Sequence, residues 1–365
     1  MIPVNEPLIA PNALPYVSDC IKTGWISSSG AYIDKFESAF ASYIGVSHAT
    51  TTTNGTTALH LALASLGVGP GDEVIVPDLT IISCGLAPLY VGATPVVVDV
   101  DPSTGNINPT LIERAISKKT KAIMVVHLYG HPVDMDPIMT LAKKHQLFVI
   151  EDAAEAHGAE YKGKKVGGIG DIGCFSFYGN KIVTTGEGGM VVTNNADLIA
   201  RAKLLKDLAH SPSKRFFHEE IGFNFRMTNM QAALGLAQLE QIELYIEKKL
   251  HMADLYTSKL QGCPHLELPT QAQWAKNVYW MYAVLVSKQS PISRDELRKK
   301  LKLEGIDTRD YFVPLHRQPV FANLKLQPCP VSDDLSERGF YLPSGLALTD
   351  EQITDVTKTL KTLLP

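Results

Sequence analysis

Cysteine is scarce and scattered in this chain of 365 residues: five, at positions 20, 84, 174, 263 and 329, with the nearest two, Cys20 and Cys84, 64 positions apart. That excludes CxxC redox pairs and thiolate zinc sites, and an odd, dispersed set suits a reducing cytoplasm. Basic excess is also missing. Lys+Arg 34 against Asp+Glu 38 leaves a net charge of −4, which gives no electrostatic footprint for nucleic acid. The opening MIPVNEPLIAP has neither a basic stretch nor an extended apolar one, so no secretory leader is expected. One uncharged run, Leu79–Val98, is long enough to span a membrane. Gly85, Pro88, Gly92 and Pro95 interrupt it, so it reads as a buried helix, a turn and a buried strand.

What is present is globular: 45% hydrophobic and 20% charged residues. The length suits two domains. Short strands at His48–Thr52, Glu73–Val76, Pro95–Val100, Ala122–His127, Leu147–Ile150, Gly173–Phe177 and Gly189–Thr193 alternate with helical patterns. Such alternation predicts an α/β fold with a mostly parallel sheet, whose ligands bind at the carboxyl ends of the strands. From Asn229 to Lys249 the pattern predicts one long amphipathic helix. Beyond Cys263, strands at Val278–Val286 and Asp307–Phe312 alternate with helices at Arg294–Glu304 and Asp350–Leu364, as in a smaller α+β domain. The expected division is 1–245 for the large domain and 246–365 for the small one.

Three signals fall just after predicted strands. Asn54-Gly55-Thr56-Thr57 opens a helix, where free N–H groups, hydroxyls and the positive dipole end suit a phosphate; a plain helix cap is the alternative. Glu151-Asp152 ends a strand, with Glu155 three residues on, and an acid there can accept a hydrogen bond from a protonated ring nitrogen. Ser176 to Lys181 leads into the glycine-rich Thr184–Gly189. A desolvated lysine loses its proton more readily and can attack a carbonyl; a solvated loop lysine is the alternative. Gly67–Gly71 lacks the strand-to-helix context of a dinucleotide fingerprint. His127 and His131 sit across Gly130 and next to Pro132, so no metal-binding helix is expected and no metal is assigned.

A phosphate-suited turn, an acid and a lysine in that order resemble the fold-type I pyridoxal-phosphate enzymes, the aspartate aminotransferase-like fold. The wording resembles the DegT/DnrJ/EryC1/StrS family of sugar aminotransferases across nearly the whole chain. The matching pieces are Gly24–Ser28, Asn54–Leu63 (NGTTALHLAL), Tyr90–Asp101, Glu151–Gly158 (EDAAEAHG), Phe175–Asn194 (FSFYGNKIVTTGEGGMVVTN), Gly222–Gln231, Gly305–Pro319 and Leu342–Ser344.

The resemblance implies pyridoxal 5'-phosphate as cofactor, with Lys181 catalytic and covalently bound to it. Asp152 would pair with the ring nitrogen and Glu155 would lie near the 3-hydroxyl. Gly55, Thr56 and Ser176 would hold the phosphate. Asn224 would reach the phosphate site of a second subunit, implying a homodimer with shared sites. Trp25, Ser27 and His316 would lie near the sugar-nucleotide. Ile81 stands where many relatives place an aromatic over the ring, and Asp207–His218 also departs from them. His127–Met135, Glu155 and Val278–Met281 resemble members that pass the amino group of L-glutamate to C4 of a GDP-linked 4-keto-6-deoxy sugar by ping-pong transamination. A dTDP- or UDP-linked sugar, or a 3-keto sugar, stays open. Lys181 points away from the family's sugar 3-dehydratases, which carry His there. Thr56, Asp152, Ser176, Lys181 and Asn224 together point away from a non-catalytic homologue.

Overall fold

The computed structural model describes residues 1–211, 213, 214 and 216–364. Residues 212 and 215, inside the divergent stretch 207–218, lie outside them. Seven strands form the central sheet: β1 (His48–Thr52), β2 (Glu73–Pro77), β3 (Thr94–Val98), β4 (Thr120–Val126), β5 (Phe148–Asp152), β6 (Ile172–Ser176) and β7 (Gly189–Thr193), in the order β1-β7-β6-β5-β4-β2-β3. All run parallel except β7, which is antiparallel to both its neighbours. The exception has a local cause. Helices link β1 to β2, β2 to β3, β3 to β4 and β4 to β5, and a long connection carries the chain from β5 to β6, whereas a compact loop of residues 177–188 turns the chain straight back into β7. Lys181 sits in that loop.

Central strands such as β4 are apolar without alternation because both faces are covered. Phe36, Phe40, Ile123, Phe175 and Phe177 belong to the core on one face. Leu61, Leu63, Met124, Ile150 and Val191 belong to the core on the other. The carboxyl ends of β5 and β6, with the N-terminus of helix Gly55–Ser65, open onto one cavity.

The single helix expected over Asn229–Lys249 is instead two, Asn229–Leu239 and Ile242–Leu260, broken at Glu240-Gln241. No Gly or Pro marks the break; tertiary hydrogen bonds shape it. The Glu240 carboxylate accepts from Asn12 Nδ2 (2.9 Å) and Tyr16 Oη (3.0 Å). Gln238 Oε1, fully buried, accepts from the Ala10 N–H (3.1 Å) and Tyr245 Oη (2.6 Å). Two helices absent from the sequence reading, Ala13–Thr23 and Ala31–Ile44, pack against Asn229–Leu239.

Position 245 lies inside helix Ile242–Leu260, which serves two cores. Ile242, Tyr245 and Ile246 belong to the core of the large sheet. Met252, Ala253, Tyr256 and Leu260 pack with Tyr282, Leu297, Leu301, Phe340 and Ile353 under the antiparallel sheet of Leu266–Glu267, Ala283–Val286, Gly339–Tyr341 and Arg309–Asp310. The segment Ile2–Glu6 joins this second body: Ile2 N–H donates to the Gly305 carbonyl (2.7 Å), Asp307 N–H to Ile2 (3.0 Å) and Ser344 N–H to Val4 (2.8 Å). Among the described residues no helix is long and apolar enough to cross a membrane.

Candidate active site

A cavity of about 370 Å³ lies at these strand ends, lined by Gly55, Thr56, Ile81, Asp152, Glu155, Ser176, Lys181 and Trp280 among others. One end is built for an anion. Asn54 caps helix Gly55–Ser65: its Oδ1 accepts from Thr57 N–H (2.9 Å), and Thr57 Oγ1 accepts from Asn54 N–H (3.1 Å). The cap and the anion site are therefore not alternatives, because Thr56, in the same turn, still lines the cavity. Thr56 Oγ1 and Ser83 Oγ lie 2.8 Å apart. A Cβ on Gly55 would fall 2.7 Å from Ser176 Cβ, so only glycine lets the helix start approach the tip of β6 this closely. Gly55→Ala should keep the fold but weaken inorganic phosphate and cofactor binding more than tenfold, measured by titration of the purified protein; unchanged affinity would remove this cradle from the site.

The other end holds the amine. Lys181 keeps only 10% of its side chain exposed, so it is no solvated loop lysine. Its Nζ lies 3.5 Å from Glu155 Oε1 and 3.6 Å from the centroid of the Trp280 ring. Burial pushes the amine below the usual lysine range, against the pull of Glu155 and Asp152. Burial likewise pushes Glu155 up, against Lys181 and the Tyr129 N–H. That N–H reaches Glu155 Oε2 (2.9 Å) because Tyr129 adopts φ +51°, a region costly for a bulky side chain and held here by the surrounding structure.

Asp152 caps no helix; the chain after it forms turns. Its Oδ1 accepts from Ala154 N–H (3.0 Å) and its Oδ2 from the Cys84 thiol (3.0 Å). Burial pushes that thiol well up, so it stays a donor. The adjacent Glu151 points to the opposite face, as strand alternation requires. It accepts from the N–H groups of Gly167 (2.7 Å), Ile169 (2.7 Å) and Gly170 (2.6 Å) and from His127 Nε2 (3.1 Å). Burial raises its carboxyl, but His127 and the glycine N–H groups outweigh burial and hold it below the usual range. Glu151 is structural; Asp152 faces the cavity.

Of the remaining expected residues, Ile81, 37% exposed, lines the cavity and the others are placed elsewhere. His316 does not line it: its Nδ1 lies 2.7 Å from Asp78 Oδ2 and its Nε2 3.4 Å from Asp333 Oδ2. Asp78, His316 and Cys329 bring ligand-type atoms within 4.8 Å. Burial holds the Cys329 thiol protonated, and the imidazole bridges two carboxylates, so the set is a closed clamp between the end of β2 and the Leu315–Arg317 turn. Asn224 is exposed, its Oδ1 accepting from Arg226 Nε (3.0 Å). Trp25 and Ser27 are exposed on a loop whose carbonyls accept from the Nδ2 (2.7 Å) and N–H (2.6 Å) of Asn229. None of these three lines the cavity. Trp280, Tyr129 and Cys84 join the site unannounced. Trp280 and Tyr129 carried a signal, each lying within a segment already singled out, Val278–Met281 and His127–Met135.

Residues 7–361 match the DegT/DnrJ/EryC1/StrS aminotransferase family. The chain belongs to that family. The GDP-perosamine synthase of Caulobacter vibrioides is 46% identical over 364 residues, covering 100% of this chain and 98% of its own. That of Escherichia coli O157:H7 is 46% identical over 359 residues, covering 98% and 97%. Among solved structures, Streptomyces venezuelae DesV, in complex with a ketimine intermediate, aligns with TM-score 0.91 at 34% identity, covering 98% of this chain and 99% of DesV.

As a member of the DegT/DnrJ/EryC1/StrS family the chain is a pyridoxal-phosphate-dependent transaminase of fold type I. The cavity fits that cofactor: it offers a helix start cleared of side chain at Gly55, a buried carboxylate and a desolvated amine. Gly55, Thr56 and Ser176 would hold its phosphate, Asp152 its ring nitrogen, Glu155 its 3-hydroxyl and Lys181 its aldehyde carbon. When bound, the cofactor supplies an electron sink for the carbanion left by proton loss from the substrate.

Proposed function

We propose that the chain transfers the amino group of L-glutamate to C4 of GDP-4-keto-6-deoxymannose, giving GDP-perosamine and 2-oxoglutarate. The observation that carries this is 46% identity, end to end, with two GDP-perosamine synthases. Lys181 Nζ, made less basic by burial, takes the proton from Cα of glutamate in one half-reaction. In the other it delivers a proton to C4 of the sugar. Asp152 accepts the ring N–H and keeps that nitrogen protonated, and Trp280 shields the amine from water. The working form is a cytoplasmic homodimer in which Asn224 reaches the phosphate site of the second subunit and Trp25, Ser27 and His316 border the sugar-nucleotide. The product feeds a surface polysaccharide of the O-antigen kind.

Purified protein given glutamate and either GDP-4-keto-6-deoxymannose or dTDP-4-keto-6-deoxyglucose tests the reading by mass spectrometry of the amino sugar and 2-oxoglutarate. Amination of the GDP sugar alone is expected. Amination of the dTDP sugar alone would keep the cofactor chemistry and overturn the substrate.

A further inference from the structure

Lys249 takes no part in the chemistry above, yet it is 2% exposed on helix Ile242–Leu260. Among the described residues no carboxylate pairs with it, and burial pushes its ammonium down to about 7. An unpaired buried amine is costly where a methionine would fill the same space. What the amine does is donate. Its Nζ bonds the Trp280 carbonyl (2.8 Å) and the Ser344 carbonyl, joining the helix to two separate loops.

Trp280 links this amine to the other one. Its peptide carbonyl is held by Lys249, its indole N–H donates to the Asn180 carbonyl (2.8 Å), and its ring faces Lys181 Nζ at 3.6 Å. Asn5, Asn180, Lys181, Lys249, Trp280 and Leu346 border one small hollow behind the site. A shift of the Trp280 backbone would lift the ring from the amine and admit water.

We propose that Lys249 is a positioning residue: by holding the carbonyls of Trp280 and Ser344 it keeps the Trp280 indole against Lys181 and the reacting amine dry. The inference rests on the reading of Lys181 as that amine. Its test needs no turnover, so the two can fail separately. Full-length protein freed of cofactor is labelled with trace acetic anhydride from pH 6 to 10, and the Lys181 peptide is followed by mass spectrometry. Folding is checked by thermal unfolding.

In Lys249→Met the labelling midpoint of Lys181 should rise by about one pH unit, a tenfold slower labelling at fixed pH below it. Lys249→Arg should restore the wild-type midpoint. Lys249→Gln, which keeps one donor, should fall between and serves if the methionine variant does not fold. A lowered unfolding temperature with an unmoved midpoint would overturn the proposal. So would failure of both neutral variants to fold beside a normal arginine variant, since Lys249 would then be a requirement of the fold alone.

Discussion

Lys181→Ala is expected to abolish multiple turnover, by at least about 1,000-fold, while the protein still takes up cofactor. On the proposed role the loss is large because one nitrogen would serve both as attachment point and as proton carrier in each half-reaction. Retention of cofactor follows from the rest of the cavity: the Gly55–Ser176 cradle and Asp152 are untouched by the substitution. Formation of 2-oxoglutarate, followed by mass spectrometry alongside the absorbance of bound cofactor, checks both halves. Turnover within tenfold of wild type would remove Lys181 from its role. The wild-type pH profile carries a second check. On the proposed mechanism the neutral amine is the active base, and burial lowers its pKa. The rate should therefore fall with pH on an acidic limb displaced below the ordinary lysine range.

Asp152→Asn should cost about 100- to 1,000-fold in each half-reaction. At ~4 Å and an effective dielectric near 20, opposite charges attract by roughly 4 kcal/mol, about three powers of ten before desolvation is counted. Asparagine keeps the size of the side chain and an oxygen for Ala154 N–H or the Cys84 thiol. The loss therefore reports the missing charge rather than a collapsed pocket. Single-turnover rates with glutamate, and with keto sugar in the reverse loading, check it; a loss below about threefold in both would show that the ring nitrogen does not depend on this carboxylate.

The residues of the cavity that the sequence announced share one property: each ends or follows a strand in the first two thirds of the chain. A parallel sheet gathers its strand ends, so Gly55, Asp152, Ser176 and Lys181 meet although they are spread over more than a hundred positions. Trp280, Tyr129 and Cys84 were not legible as site residues. Trp280 arrives from the segment that leads into strand Ala283–Val286, Tyr129 through a positive φ at a turn, and Cys84 through the fold of a helix that looks merely apolar. The pair Glu151-Asp152 was legible from the residues only as acidic; the resemblance singled out Asp152, and the work of Glu151 depends on the distant N–H groups of 167–170 that hold it. The break at Glu240-Gln241 was hidden for the same reason, its partners lying more than two hundred positions upstream.

The arm Ile2–Glu6 has a consequence for how the molecule is made. Its backbone hydrogen-bond partners are Gly305, Asp307, Ser344 and Ala347, and Asn5 Nδ2 reaches the Asn180 carbonyl (3.2 Å) in the catalytic loop. A ribosome working at roughly 5–20 residues per second releases those partners about 15–70 s after the arm itself. For that interval the arm lacks its backbone partners while the central sheet can already pair. Closure of the back of the catalytic loop thus belongs to the last moments of synthesis, and a nascent chain stalled short of residue 345 would carry every strand of the sheet without its final seal.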